Sequence, residues 1–249
     1  MKKLFTVVLL CLPCLGFSHT PEELRLKGDN YSLSAADLKI PPAAVSAAQP
    51  AAVGTAVPVF DYLSSLNRAD GASVSISRSG GSIIIEGFGK IPKSAYSDAY
   101  KNGDVVFLIG HLEDALTERE WTAYYNVAKW LVKEGFRVVM NPVAMVADIK
   151  ASVQDDRTKV IIWSSHGSKD GGIYDSSKEL VPTDVFAMNP GRNFKQIIVS
   201  SCYSNVMVGR YQFPAGVNST YWEGTTDSDD LFSYLFKRWD PRGLGENVE

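Results

Sequence analysis

The chain has 249 residues, of which 45% are hydrophobic and 21% charged, and its formal net charge is −3. This is the composition of an ordinary globular protein, with room for about one domain and an extension. The acidic balance and the lack of a basic tract argue against nucleic acid as the main partner.

The first segment, residues 1–18, reads as an export signal rather than as structure. Lys2 and Lys3 open it, an apolar run continues from Leu4 to Leu15, and Gly16-Phe17-Ser18 ends on a small residue. Cleavage after Ser18 is expected, which makes the mature chain periplasmic or secreted. The run is too short to span a bilayer, and no later stretch is long and apolar enough, so no stable membrane insertion is expected. Lipid attachment is disfavoured, because Leu10 and Pro13, not small residues, precede Cys11 and Cys14. Residues 19–40 are polar and mixed, with one short helix expected from Pro21 to Leu26. Residues 41–58 are rich in Ala, Pro and Val. Residues 19–58 as a whole therefore read as a linker or prosegment.

Residues 59–103 read as a small β-containing segment. Ser73-Val74-Ser75-Ile76-Ser77 alternates, Gly80-Gly81 marks a turn, and Ile83-Ile84-Ile85 is a buried type of strand. The segment is either an edge hairpin of the main domain or a removable part of the prosegment.

Residues 104–249 form the main domain, in which strands and helices alternate. Val105–Ile109 is an apolar strand. A helix comes next, opened by a capping box of Thr117 with Glu120 and closed by Gly135. Leu116, Tyr124, Val127 and Leu131 share one helical face, and the aromatic set Trp121, Tyr124, Tyr125 and Trp130 reads as core. Arg137–Met140 is a second strand. Asn141-Pro142 is expected to open a helix through Met145, Ile149 and Val153. Lys159–Trp163 and Gln196–Ser200 are the third and fourth strands, with a short helix expected from Pro182 to Met188 between them. A final helix from Asp229 to Trp239 carries Leu231, Leu235 and Trp239 on one face, and the acidic run Asp227–Asp230 caps it. Continuous apolar strands alternating with helices imply an α/β fold with a mostly parallel sheet covered on both faces. Ligands and chemistry gather beyond the carboxyl ends of such strands.

Two residues of chemical interest fall there. The chain has three cysteines, and Cys11 and Cys14 leave with the signal. Cys202 then stands alone in an oxidising compartment, without an internal disulfide partner. It lies just past the fourth strand, and His166-Gly167 lies just past the third. A thiolate nucleophile needs a neighbouring base, which later protonates the leaving amine, and histidine titrates in the required range. The oxyanion formed on attack needs backbone N–H donors. Zinc is disfavoured because His111, His166 and Cys202 are scattered, and no serine-hydrolase elbow is present. No cofactor and no metal site are expected. His111 comes after the first strand and reads as structural or surface. The alternative for Cys202 and His166 is a pair of inert side chains at strand ends.

The blocks Val160-Ile161-Ile162-Trp163-Ser164-Ser165-His166-Gly167-Ser168 and Gln196-Ile197-Ile198-Val199-Ser200-Ser201-Cys202-Tyr203-Ser204 resemble the two signature blocks of caspase-fold cysteine peptidases. That group includes legumains, caspases, gingipains, clostripain and separase. His166-Gly167-Ser168 and Cys202-Tyr203-Ser204 are most similar to the legumain and gingipain side of it. Gly172-Ile173, Leu180 and Asp184 resemble the turn, strand and helix that come after the histidine in that group. The resemblance covers roughly residues 104–239, and histidine before cysteine is the reverse of the papain order. Ser200-Ser201 departs from the acidic residue or glutamine and then alanine found in many members, and is closer to CHAT domains.

The resemblance implies a caspase-like three-layer αβα sandwich and a cysteine-type endopeptidase. Cys202 would be the nucleophile, His166 the general acid/base, and the backbone N–H groups of Gly167 and Cys202 the oxyanion hole. Trp222 and Glu223 fall in a region suited to substrate-pocket walls. The expected partner is a peptide or protein substrate. Transpeptidation through the same acyl-enzyme is compatible with these residues. The alternative from a different class is a caspase-fold pseudoenzyme or protein-binding module.

Overall fold

The computed structural model describes residues 23–27, 58–87, 100–207 and 209–246. The expected export signal, its cleavage site, His19 and residues 41–57 of the linker lie outside these residues. The strands are β1 (Glu23–Lys27), β2 (Ser75–Ser79), β3 (Ser82–Glu86), β4 (Asp104–Ile109), β5 (Arg137–Asn141), β6 (Thr158–Ser164), β7 (Gln196–Ser200) and β8 (Asn218–Glu223). They form one eight-stranded sheet in the order β1-β8-β7-β6-β4-β5-β3-β2. Every pairing from β1 through to β5 is parallel. The hairpin β2–β3 closes the other side in antiparallel pairing.

The chain is therefore α/β with a mostly parallel sheet, and the continuous apolar strands explain why. In β4 all six residues are buried, which is possible only where both faces are covered. Val105, Phe107, Val160, Ile162 and Ile198 point to one face. They meet helices α1 (Val59–Ala69), α2 (Glu118–Lys133) and α5 (Ser228–Lys237) through residues such as Leu63, Tyr124 and Leu231. Val106, Leu108, Ile161, Trp163 and Val199 point to the other. They meet Ile149 and Val153 of helix α3 (Val146–Gln154) and the loop residues Val181, Val185 and Phe186. A four-residue helix α4 (Ser204–Met207) and a two-stranded ribbon, β9 (Trp239–Asp240) with β10 (Gly245–Glu246), complete the described elements. Among the described residues no helix is long and apolar enough to cross a membrane.

The ends of α2 obey local chemistry. The Thr117 hydroxyl accepts from the Glu120 N–H at 3.3 Å, and the Glu120 carboxylate accepts from the Thr117 N–H at 2.7 Å. At the other end Gly135 has φ +84°, a conformation that glycine adopts without penalty. There the Phe136 N–H reaches back to the Leu131 carbonyl at 3.0 Å and the Gly135 N–H to the Val132 carbonyl at 3.1 Å. Phe136 and Leu131 are both fully buried, which completes a Schellman termination.

Four local expectations are corrected. Glu23–Lys27 is a strand, not a helix, because its period-two pattern meets the open edge of β8 in parallel register. The stretch from Pro182 to Met188 is a series of turns. The Thr183 carbonyl accepts from the Gln212 N–H at 2.8 Å, while the Ala187 N–H turns to the Asp184 carbonyl at 2.9 Å, so no helical ladder forms. Helix α3 begins at Val146 rather than at Pro142. The Asn141 side chain accepts from the Val143 N–H at 3.1 Å, and the Ala144 N–H is held by the Ile109 carbonyl at 2.8 Å. The last helix ends at Lys237, and Trp239 starts β9.

The described part of the segment 59–103 contributes directly to the main sheet and core. Ile83 and Ile85 pair with Met140 and Val138, and Leu63 of α1 is fully buried. Removing the chain up to residue 103 would uncover β5 and the face of α2 that α1 covers.

Candidate active site at the carboxyl edge of the sheet

Strands β6 and β7 run in parallel with Ser164 opposite Ser200. The Ser165 N–H continues the ladder to the Ser200 carbonyl at 3.1 Å. His166 and Cys202 each lie two residues beyond this matched pair. They therefore emerge at the same level from strands about 4.8 Å apart.

The histidine side is fixed through its backbone. The His166 N–H donates to the His111 carbonyl at 2.5 Å, and the His166 carbonyl accepts from the Ser165 hydroxyl at 3.0 Å. The Ser165 hydroxyl in turn accepts from the indole N–H of the buried Trp163 at 2.7 Å. Beyond the backbone the imidazole is free to meet solvent, with 40% of the side chain exposed, and its Nε2 lies 3.6 Å from Glu113 Oε1. The rings of His111 and His166 stand edge to face at 6.5 Å. The loop after β4 thus supplies both the clamp on the His166 backbone and a carboxylate facing its ring.

Gly167 shows how closely the two strand ends meet. A Cβ at that position would overlap the Cys202 carbonyl oxygen and the Ser201 hydroxyl, and would lie 3.0 Å from the Cys202 backbone nitrogen. Only a hydrogen fits, so glycine is required here by contact. Among the described residues no acceptor takes the backbone N–H of Gly167 or of Cys202.

The cysteine side is a tight turn between β7 and α4. Tyr203 has φ +57°, an uncommon conformation for an aromatic residue, and its N–H is held by the Gly224 carbonyl at 2.5 Å. The Ser204 hydroxyl accepts from the Trp222 N–H at 2.8 Å, so β8 pins the turn on its far side. Cys202 is a half-buried free thiol, and its sulfur lies 3.5 Å from the Thr226 carbonyl. The Ser201 hydroxyl is buried without a hydrogen-bond partner.

The sheet thus brings His166, Gly167, Ser201 and Cys202 together, with Glu113 beside the histidine. It does not bring Trp222 to a pocket wall. That side chain is 1% exposed and its ring meets Tyr234 at 6.0 Å inside the core. The pocket-wall expectation for Trp222 is corrected on this ground, because a side chain that fills the core cannot line a cleft. Glu223, the last residue of β8, is half-buried at the carboxyl edge. Asp227 caps α5 by accepting from the Asp230 N–H at 3.0 Å. Among the described residues no group of three His, Cys, Asp or Glu side chains is placed to hold a metal ion.

Sequence reasoning missed Glu113, Ser201 and Thr226. Glu113 stands two residues after His111 in the loop after β4, and the carboxyl-edge rule could have found it. Ser201 carries no signal apart from its place beside Cys202. The Thr226 contact depends on β8, whose polar start, Asn218-Ser219-Thr220, does not read as a buried strand. Family models, characterised proteins and solved structures yield no match to this chain.

Proposed function

We propose that the chain is an exported cysteine endopeptidase with a caspase-like αβα sandwich, in which Cys202 is the nucleophile and His166 the general acid/base. The observation that carries this reading is the matched emergence of His166-Gly167 and Ser201-Cys202 from adjacent parallel strands, in contact at Gly167. Two backbone N–H groups without acceptors among the described residues, at Gly167 and Cys202, suit an oxyanion. The exposed apolar residues Val143, Met145, Leu180 and Val206 all lie beyond carboxyl ends of strands, where a peptide would lie.

In the proposed reaction His166 takes the thiol proton, and the Cys202 sulfur attacks the peptide carbonyl carbon. The tetrahedral oxyanion rests on the two N–H groups. His166 then gives its proton to the amine nitrogen as the C–N bond breaks, leaving a thioester. Water attacks the thioester with His166 as base, and the carboxylic acid leaves as the C–S bond breaks. Glu113 would steady the imidazolium formed during these steps.

A specific observation favours the second reading, a pseudoenzyme or binding module. The Cys202 sulfur is directed at the Thr226 carbonyl, and the His166 ring faces Glu113. Catalysis requires the thiol to turn from Thr226 to the imidazole. Labelling with a peptidyl acyloxymethyl ketone, compared across wild type, Cys202→Ala and His166→Ala, separates the two readings. The peptidase reading expects fast labelling at Cys202 and loss of cleavage in both variants. Labelling no faster than that of a free thiol, with no cleavage altered by either substitution, leaves the binding module.

A further inference from the structure

The opposite edge of the sheet holds a second feature, which the cysteine and histidine do not use. A cavity of about 590 Å³ opens at the amino ends of β4, β5, β6 and β7. Its lining includes the cations Lys101, Arg137, Arg157, Lys159 and Lys195, against the carboxylate of Asp104. This concentration of positive charge sits on a chain whose net charge is −3.

The cations divide into two kinds. The arginine forks are engaged: Arg137 Nε donates to Asp104 Oδ1 at 2.9 Å and Arg157 Nη2 to Asp155 Oδ2 at 2.9 Å. Lys101, Lys159 and Lys195 form no ion pair among the described residues. The fold nevertheless forces two of them together, because the Lys195 N–H donates to the Lys159 carbonyl at 2.9 Å as β7 begins beside β6. The Lys159 ammonium lies 5.8 Å from the ring centroid of the buried Phe136. Burial, and after it the charge of Lys195, hold the Lys159 pKa below the usual lysine value. A half-buried ammonium beside another, with no carboxylate between them, is unfavourable until an anion enters.

We propose that this cavity is a binding site for a small polyphosphate-type anion, held by Lys101, Lys159 and Lys195. The unengaged donors are ammonium groups, compact point charges with three rotatable N–H bonds each, which suit tetrahedral phosphate. Planar carboxylates are better matched by arginine forks, and here those are filled. The volume is within the range of small-ligand sites. The seven-residue β6 separates this edge from Cys202 by roughly 20 Å at about 3.3 Å per residue. The site is thus independent of the peptidase reading.

The test uses tripolyphosphate on the purified chain at fixed ionic strength near 150 mM, read by calorimetry and thermal unfolding. Saturable binding is expected, with a Tm rise of at least about 4 °C at a hundredfold excess over Kd. The double variant Lys159→Gln/Lys195→Gln should bind at least tenfold more weakly. Its unliganded Tm should equal or exceed that of wild type, because the like-charge pair is gone; a purely structural role for the lysines would lower it. Lys169→Gln, in the loop at the other edge, should bind as wild type does. Absence of a Tm shift, wild-type affinity in the double variant, or an equal shift with sulfate would overturn the proposal. Tighter binding of a polyglutamate peptide than of tripolyphosphate would overturn the ligand class.

Discussion

At the carboxyl edge the strand ends are held by backbone contact, whereas at the amino edge they are held by charge. Gly167 packs against the Cys202 backbone and the Ser201 hydroxyl, His166 hangs from the His111 carbonyl, and Tyr203 is held in the left-handed region. Across the sheet, Asp104 and Arg137 form a buried ion pair between the first residues of β4 and β5. The same strands thus carry two kinds of precision. Backbone contact tolerates no added atom but leaves side chains free to react. Ion pairing tolerates movement but fails when one partner is removed.

The largest stability effect is expected where that charge is broken. Arg137→Met should destabilise the protein by about 3 kcal/mol, because it leaves the buried Asp104 carboxylate with only Arg157, whose Nε lies 3.9 Å away. Burial already holds the Asp104 pKa above its usual value, against the opposing pull of Arg137. A raised carboxyl pKa means that the ionised form is disfavoured in the folded state, so the deficit of Arg137→Met should shrink as pH falls. Urea unfolding at several pH values measures both; a deficit under about 1 kcal/mol would mean the pair is dispensable.

Gly167→Ala tests the other edge. Overpacking against backbone should destabilise by about 1–3 kcal/mol. Under the proposed function, cleavage should fall far more than stability, because the strand ends must part. If the variant labels and cleaves as wild type does, the contact at Gly167 is not what positions Cys202.

Gly135→Ala sits in the turn leading to the amino edge. Its left-handed φ should cost the alanine variant about 1–2 kcal/mol, with binding of tripolyphosphate unchanged, as calorimetry on the refolded variant would read. The smallest effect belongs to Asp170, in the loop after His166. Hydrogen bonds from the Ser168 hydroxyl, Arg210 and the Gly172 N–H bring its pKa from 3.8 down to about 2. A lowered carboxyl pKa contributes order that is full above pH 3.8 and lost as pH falls through about 2. Amide exchange of residues 168–172 should therefore accelerate in wild type only at that low pH, whereas in Asp170→Asn, which has no carboxylate to titrate, it should exceed the wild-type rate at every pH above about 2.

Much of the fold was legible because local chemistry and tertiary demand agree. The apolar runs of β4, β6 and β7, the Thr117–Glu120 box and the Gly135 termination are local signals that the packed structure preserves. The hidden elements are those whose cause is not local. Strand β8 is buried although it starts Asn218-Ser219-Thr220, because its neighbours β7 and β1 take up its backbone hydrogen bonds. The Pro182–Met188 stretch has helical spacing, but Gln212 takes a carbonyl that the helix would need.

For the candidate site, sequence alone determined which residues stand at the ends of β6 and β7, since strand ends are set by where apolar runs stop. Tertiary structure decided that those strands are neighbours in matched register, that Gly167 admits no side chain, that Glu113 faces the histidine, and that Trp222 belongs to the core. The lysine cavity was decided entirely by that packing. Lys101, Lys159 and Lys195 lie far apart along the chain, and only a parallel sheet, which gathers the beginnings of all its strands at one edge, brings their charges together.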